Sequence, residues 1–334
     1  MQKKHGETIL VIGAFNFIAS LVVKRILDES DHEVVGVVLP QSQDIYDVRY
    51  QELLLSANSK GRFTFYNTPN NALDYETLEQ VFQQHQPTYV LSGRIISEFH
   101  KSSQDKNFYL NGNHSGLLAL LELSQKYKVK HFVFSSSCRV YNQTGKRSFS
   151  ENDATSCPIS FLGAVSSSME NIIHSYAYEH TLPCTSFRLF STYGSYMNPE
   201  KRLRQLISKV DNEEVIKLDN RGQNITDYIY KDDATNIVYQ ILWLPPDNYS
   251  NFRLLNVGTG FPTSEENIIH TLEELLNKRA KIKFSEDPSL KKQYCYVANT
   301  RLVEKLLGGY KPKTTIEHGL KDLLAWYLTQ KAKT

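Results

Sequence analysis

The residue types able to do chemistry are scattered along this chain, and their spacing excludes more than it offers. Ten histidines, from His5 to His318, show no metal-ligand spacing, and the four cysteines, Cys138, Cys157, Cys184 and Cys295, contain no C-x-x-C pair. Neither a metal site nor a disulfide framework is expected, and the thiols read as free groups in a reducing cytoplasm. One short run stands apart: HFVFSSSCRVY brings Ser137, Cys138, Arg139 and Tyr141 together after an apolar strand. A hydroxyl, a thiol, a guanidinium and a phenol in one loop are plausible pocket groups. Cys138 has no histidine neighbour to activate it and suits a small buried position better than a nucleophile. Ser166, Ser167 and Ser168 read as a polar helix face, and Lys201, Arg202 and Arg204 as the charged start of a surface helix.

Positioning such groups needs a scaffold, and the hydrophobic pattern supplies one. Apolar runs rich in Val, Ile and Phe alternate with amphipathic stretches: a strand over 8–13, a helix over 18–28 and a strand over 33–39 open the chain. Further strands are predicted at 62–66, 88–92, 131–137 and 184–190, with helices at 75–84, 113–127, 163–180 and 263–277. This alternation implies an α/β fold, a Rossmann-like doubly wound parallel sheet covered by helices on both faces. Beyond Tyr193 the elements shorten, so residues 191–334 read as a smaller α/β substrate-type domain interleaved with a first domain over 1–190. In such sheets ligands sit outside the carboxyl ends of the strands, and Arg94 follows the fourth strand, where its guanidinium would plug the groove or hold an anion.

Composition narrows the partners. A formal net charge of +2, with 38 basic and 36 acidic residues interspersed, gives no basic face for nucleic acid. No apolar run approaches the roughly 18 residues of a membrane-spanning helix, and the polar start suggests no secretory signal. A small molecule is the expected ligand.

Six segments in order carry a family resemblance: VIGAFNFIAS, HFVFSSSCRVY, FRLFSTYG, DYIYKDDATNIV, LLNVGTG and LLGGYKPKTTIEHGLKDLLAWY. Together they resemble the extended short-chain dehydrogenase/reductases, in particular nucleotide-sugar epimerases of the UDP-glucuronate 4-epimerase type. The resemblance implies a dinucleotide turn G-x-x-G-x-x-G, whose positions here are Gly13, Asn16 and Ala19, followed by Phe17 and Ile18 at the helix start. It implies an acidic ribose ligand where this chain has Val38, and an adenine-side Asp where it has Asn71. It gives the acid/base Tyr and its Lys to Leu162 and Ser166, keeps the hydroxyl at Ser137, and makes Asn113, Phe190 and Tyr193 substrate-side residues. Tyr141 and Tyr193 match tyrosines that pack in the family. The diphosphate-binding Arg expected before Asp227 and Tyr228 is Thr226. With Asn16 crowding the phosphate turn and Val38 unable to accept a ribose hydroxyl, no cofactor or only weak NAD(P) binding is expected. The function expected is that of an atypical lyase or isomerase acting on a sugar, a nucleotide sugar or another small molecule without net redox chemistry, with catalytic candidates Ser137, Tyr141, Arg94 and Arg139. A non-catalytic subunit or ligand sensor and an unusual NAD-dependent epimerase or dehydratase are the alternatives. A homodimer built on two helices is a family expectation.

Overall fold

The computed structural model describes residues 6–38, 54–55, 61–68, 73–93, 105–142, 148–247, 250–285 and 294–332. The first unit comprises Met1–Asn142, Ala154–Leu189 and Thr235–Leu255; the second comprises Gln143–Asp153, Phe190–Ala234 and Asn256–Thr334.

The chain begins with β1 (Thr8–Ile12), α1 (Phe17–Glu29), β2 (Glu33–Val38) and β3 (Phe63–Asn67). It continues with α2 (Tyr75–His85), β4 (Tyr89–Ser92), α3 (Lys106–Lys126), β5 (His131–Ser137), α4 (Phe161–His180) and β6 (Cys184–Leu189). Five of the six residues of β2 are buried, the near-continuous apolar run that a strand covered on both faces requires. On α1, Val22, Val23, Ile26 and Leu27 recur at helical spacing and are buried. α3 starts at Lys106 rather than near Asn113: the Asp105 carboxylate accepts from the Phe108 amide at 2.9 Å and caps the first turn, and the run Asn111–Gly116 beyond Leu110 interrupts the apolar pattern.

Beyond β6 run β7 (Ser191–Tyr193), α5 (Arg202–Asp211), β8 (Val215–Leu218), β9 (Ile225–Thr226), β10 (Tyr228–Tyr230), α6 (Lys231–Leu242) and β11 (Phe252–Val257). Then follow β12 (Thr263–Ser264), α7 (Glu265–Leu276), β13 (Lys281–Phe284), β14 (Cys295–Tyr296), α8 (Arg301–Leu306) and α9 (Ile316–Lys331). α7 begins two residues later than its pattern suggests, since Ser264 Oγ caps it by accepting from the Asn267 amide at 3.1 Å.

Seven strands form one sheet in the order β11-β6-β5-β4-β1-β2-β3, and the pairings from β6 across to β3 are parallel. The order reverses between β1 and β4, which opens a crevice at their carboxyl ends. The core of the first unit joins Leu10, Val35 and Phe132 of the sheet to Phe82, Leu120 and Met169 of the helices. Each such side chain contributes about 1.5–3 kcal/mol by leaving water.

The second unit is held by small sheets and by buried carboxylates. Asp227, 0% exposed, accepts from the amides of Thr259, Gly260 and Ala298 and from the Thr259 hydroxyl. Burial pushes its carboxyl above the usual range, against the pull of those bonds. Asp233 accepts from Tyr310 Oη and the Lys313 and Thr314 amides.

Candidate functional site

The crevice between β1 and β4 is lined by backbone. Gly13 has φ +68°, and its amide donates to the Val37 carbonyl at 2.8 Å, so the chain turns sharply from β1 toward α1. Asn16 has φ −67° and ψ 152°: it is extended, so the turn relies on Gly13 alone for its left-handed step. Its side chain does not cap α1, and it folds back so that a Cβ built on Gly13 would lie 2.3 Å from Asn16 Nδ2. A Cβ on Gly93, just after β4, would lie 3.5 Å from the same nitrogen. The amides of Phe17 and Ile18, at the open start of α1, have no intrahelical acceptors. Two glycines and a helix N-terminus make a cradle with the chemistry of a diphosphate site. The ribose end is different in kind: Val38 closes β2, is 2% exposed, and its side chain offers no acceptor. Asn71 and Arg94 lie outside the described residues.

Across the sheet, β5 delivers Ser137 to its carboxyl end, 8% exposed, with its Oγ accepting from the Arg139 amide at 3.3 Å. A short helical turn, Cys138–Val140, buries Cys138 and leaves Arg139 exposed. α4 comes against this turn through Gly163, where a Cβ would stand 2.2 Å from the Arg139 carbonyl oxygen. That contact sets the first turns of α4, and with them Leu162 and Ser166, which are 5% and 1% exposed. Ser166 Oγ is buried with no hydrogen-bond partner among the described residues.

One turn further, α4 carries a group that sequence reasoning missed. Glu170 accepts from Ser136 Oγ and from Arg188 Nε and Nη2, the last at 2.7 Å. Arg188 is 3% exposed and lies 4.6 Å from the Tyr141 ring centroid. Burial works against its charge, but the Glu170 carboxylate outweighs that and holds the guanidinium above its ordinary value. Tyr141, 0% exposed, therefore sits inside a structural brace that joins β5, β6 and α4. The available signal was a charged residue in the otherwise buried strand CTSFRL and a second charge on an apolar helix face.

Among the substrate-side residues, Asn113 is fully buried on α3 and donates to the Tyr109 carbonyl at 2.8 Å. Phe190 and Tyr193 belong to the second unit. The Phe190 amide donates to Val257 O, and Tyr193 Oη donates to Thr315 O at 3.4 Å. Gly319 on α9 makes room for that phenol: a Cβ there would stand 2.1 Å from Tyr193 Oη. Burial raises the Tyr193 pKa well above its ordinary value, which keeps the phenol protonated near neutrality. Arg202 is bound to Glu265 and to the Lys217 carbonyl, and Arg204 lies about 5 Å from the ring centroids of Trp326 and Tyr327. Among the described residues no group of three His, Cys, Asp or Glu side chains could hold a metal, and no helix is long and apolar enough to cross a membrane.

Comparison with known proteins places these features. The model of the NAD dependent epimerase/dehydratase family matches residues 9–258. Protein CapI of Staphylococcus aureus is 26% identical over 334 residues, covering 96% of this chain and 98% of that protein. A probable UDP-glucuronate 4-epimerase of Rhizobium meliloti (strain 1021) is 26% identical over 339 residues, covering 95% and 96%. The crystal structure of UDP-glucuronic acid 4-epimerase from Bacillus cereus, in complex with UDP-glucuronic acid and NAD, superposes with a TM-score of 0.82 at 23% identity, covering 97% of this chain and 99% of that one. These findings correct the expectation of no cofactor or only weak NAD(P). The matching family is NAD dependent and the Bacillus cereus structure contains NAD, while the Gly13 turn and the start of α1 keep the diphosphate cradle. The expectation gave Val38 and Asn16 more weight than the backbone cradle they flank.

Proposed function

Because the chain belongs to the NAD dependent epimerase/dehydratase family, within the extended short-chain dehydrogenase/reductases, we propose that it binds NAD and a nucleotide sugar of the UDP-glucuronate type without the Tyr–Lys route to hydride transfer. The observation that carries this reading is the burial of Leu162 and Ser166 on α4, at the two positions the resemblance gives to the Tyr and the Lys. Gly13 and the amides of Phe17 and Ile18 would hold the dinucleotide phosphates, and Ser137 would face the reacting end. Bound NAD supplies a hydride acceptor and donor for the sugar carbon. Oxidising that carbon also requires a base for its hydroxyl proton, and Leu162 has no group to accept it. Ser166 carries no charge with which to lower the pKa of a neighbouring phenol. The chain is then a ligand-binding member of its family, a non-catalytic subunit or sensor. The exposed Leu110, Leu118 and Tyr178 on α3 and α4 support a homodimer through those helices.

A second reading, a catalyst of elimination, isomerisation or cyclisation without net redox change, is supported by the retained Ser137 hydroxyl beside Arg139. Incubation with UDP-glucuronate, followed by NMR of the sugar, separates the two. Binding without any new sugar species is expected, and the double variant Leu162→Tyr/Ser166→Lys is expected to gain C4 interconversion. Interconversion by the unaltered chain would sink the proposal, whereas a non-epimeric product would establish the second reading.

A further inference from the structure

We infer that Asn16 is a cofactor-positioning residue whose side-chain amide donates a hydrogen bond to the diphosphate, in the place where the family resemblance puts a glycine. The inference rests on the reading of this site as a dinucleotide site and goes beyond it by giving a side chain a task that backbone alone would otherwise perform.

Three observations carry it. Asparagine is among the residues best suited to cap a helix, yet Asn16, at the N-cap of α1, makes no capping bond with its side chain. That side chain has no hydrogen-bond partner among the described residues, so none of them competes for its donors. Its orientation is also specific. From the position a Cβ would take on Gly13, Nδ2 is 2.3 Å away, Cγ 3.0 Å and Oδ1 3.6 Å, and Nδ2 is the atom that approaches Gly93 as well. The N–H end of the amide is therefore nearer to both glycines than its carbonyl is. Beside it stand the first amides of a 13-residue helix, which have no intrahelical acceptors and whose dipole favours an anion. A phosphate oxygen entering the crevice meets donors from both sources. An acceptor in the same place would repel it. With Val38 making no bond to the ribose, the grip on the cofactor shifts toward its phosphates.

The test is calorimetric titration of the nucleotide-free full chain with NAD, ADP and adenosine, comparing it with Asn16→Gly and Asn16→Asp. Glycine is nearly neutral at an N-cap, so Asn16→Gly leaves α1 intact, and an unchanged melting temperature checks this. A hydrogen bond to a charged oxygen is worth about a tenfold change in affinity or more. NAD and ADP should therefore weaken by about that factor in Asn16→Gly, with adenosine unaffected, and more strongly still in Asn16→Asp. If Asn16→Gly binds NAD as tightly as the parent chain, or more tightly, the side chain is idle or obstructive and the inference is overturned. If the parent chain binds neither NAD nor ADP, the dinucleotide reading itself falls, and this inference with it.

Discussion

Glu170 and Ser166 stand one turn apart on α4 and are similarly buried, at 5% and 1% exposed, yet their polar atoms meet opposite surroundings. Glu170 is fully engaged, by Ser136 from β5 and by Arg188 from β6, and those bonds tie the helix to two adjacent strands. Ser166 has a hydroxyl with no partner among the described residues. The brace is something folding requires, since an unpaired charge there would cost several kcal/mol. The orphan hydroxyl is something folding merely tolerates. Among the described residues, the same helix thus carries one buried polar group that is fully bonded and one that is not.

The comparison breaks most visibly at the brace. Arg188→Ala leaves Glu170 buried without its cation, and breaking a buried pair from one side costs about 3–5 kcal/mol. Urea unfolding should show a loss of that size. A loss below about 1 kcal/mol would mean that water relieves Glu170 and that the two turns differ less than their geometry implies.

A second effect, nearly as large, tests whether satisfaction rather than charge is what the core demands. His131, at the start of β5, is fully buried with Nδ1 on the Leu242 carbonyl at 3.0 Å and Nε2 on Thr185 Oγ1 at 2.8 Å. Burial pushes its pKa down from 6.5 to about 4, with the Leu242 bond pulling the other way. The unfolded chain therefore takes up the proton first as the solution is acidified. Stability from this group is complete above pH 6.5, declines as pH falls toward 4, and is then lower by roughly 3 kcal/mol. Unfolding free energies measured from pH 7 to pH 4 should show this slope, and His131→Asn should flatten it. An unchanged slope in that variant would assign the acid sensitivity to other groups.

How much of this was legible in the sequence differs between the two turns. β1, α1 and β2 were readable to within about a residue, because burial on both faces leaves an unbroken apolar run and α1 carries a clean stripe. Gly13 directly follows β1, and the loop Ser137–Tyr141 sits at the end of β5, so the strand pattern places both. The start of α3 was hidden because the polar and glycine run Asn111–Gly116 separates Phe108, Tyr109 and Leu110 from the apolar stripe that follows. The Glu170–Arg188 pair was hidden for a deeper reason: it depends on the pairing of β5 with β6 and on where Gly163 lets α4 approach, neither of which local pattern encodes. The contact of Arg188 with the Tyr141 ring was hidden for the same reason, because only the register brings them together.

The smallest expected effect bears directly on Ser166. Replacing a buried hydroxyl that has a partner normally costs stability, because the bond is lost and the partner is left unsatisfied. Ser166 has no such partner among the described residues, so Ser166→Ala removes an unmet desolvation cost and strands none of them. Alanine also favours the helix interior over serine by a few tenths of a kcal/mol. The void left by one oxygen is small and works weakly in the other direction. The sum is a chain that is unchanged or more stable by about 1 kcal/mol, the reverse of the usual sign for a polar residue at 1% exposure. Denaturant titration of Ser166→Ala beside Ser136→Ala makes the contrast internal, because Ser136 donates to Glu170 and should lose stability on truncation. If Ser166→Ala also lost more than about 1 kcal/mol, its hydroxyl would have a bonding partner after all, and the first turns of α4 would be as structurally committed as the third.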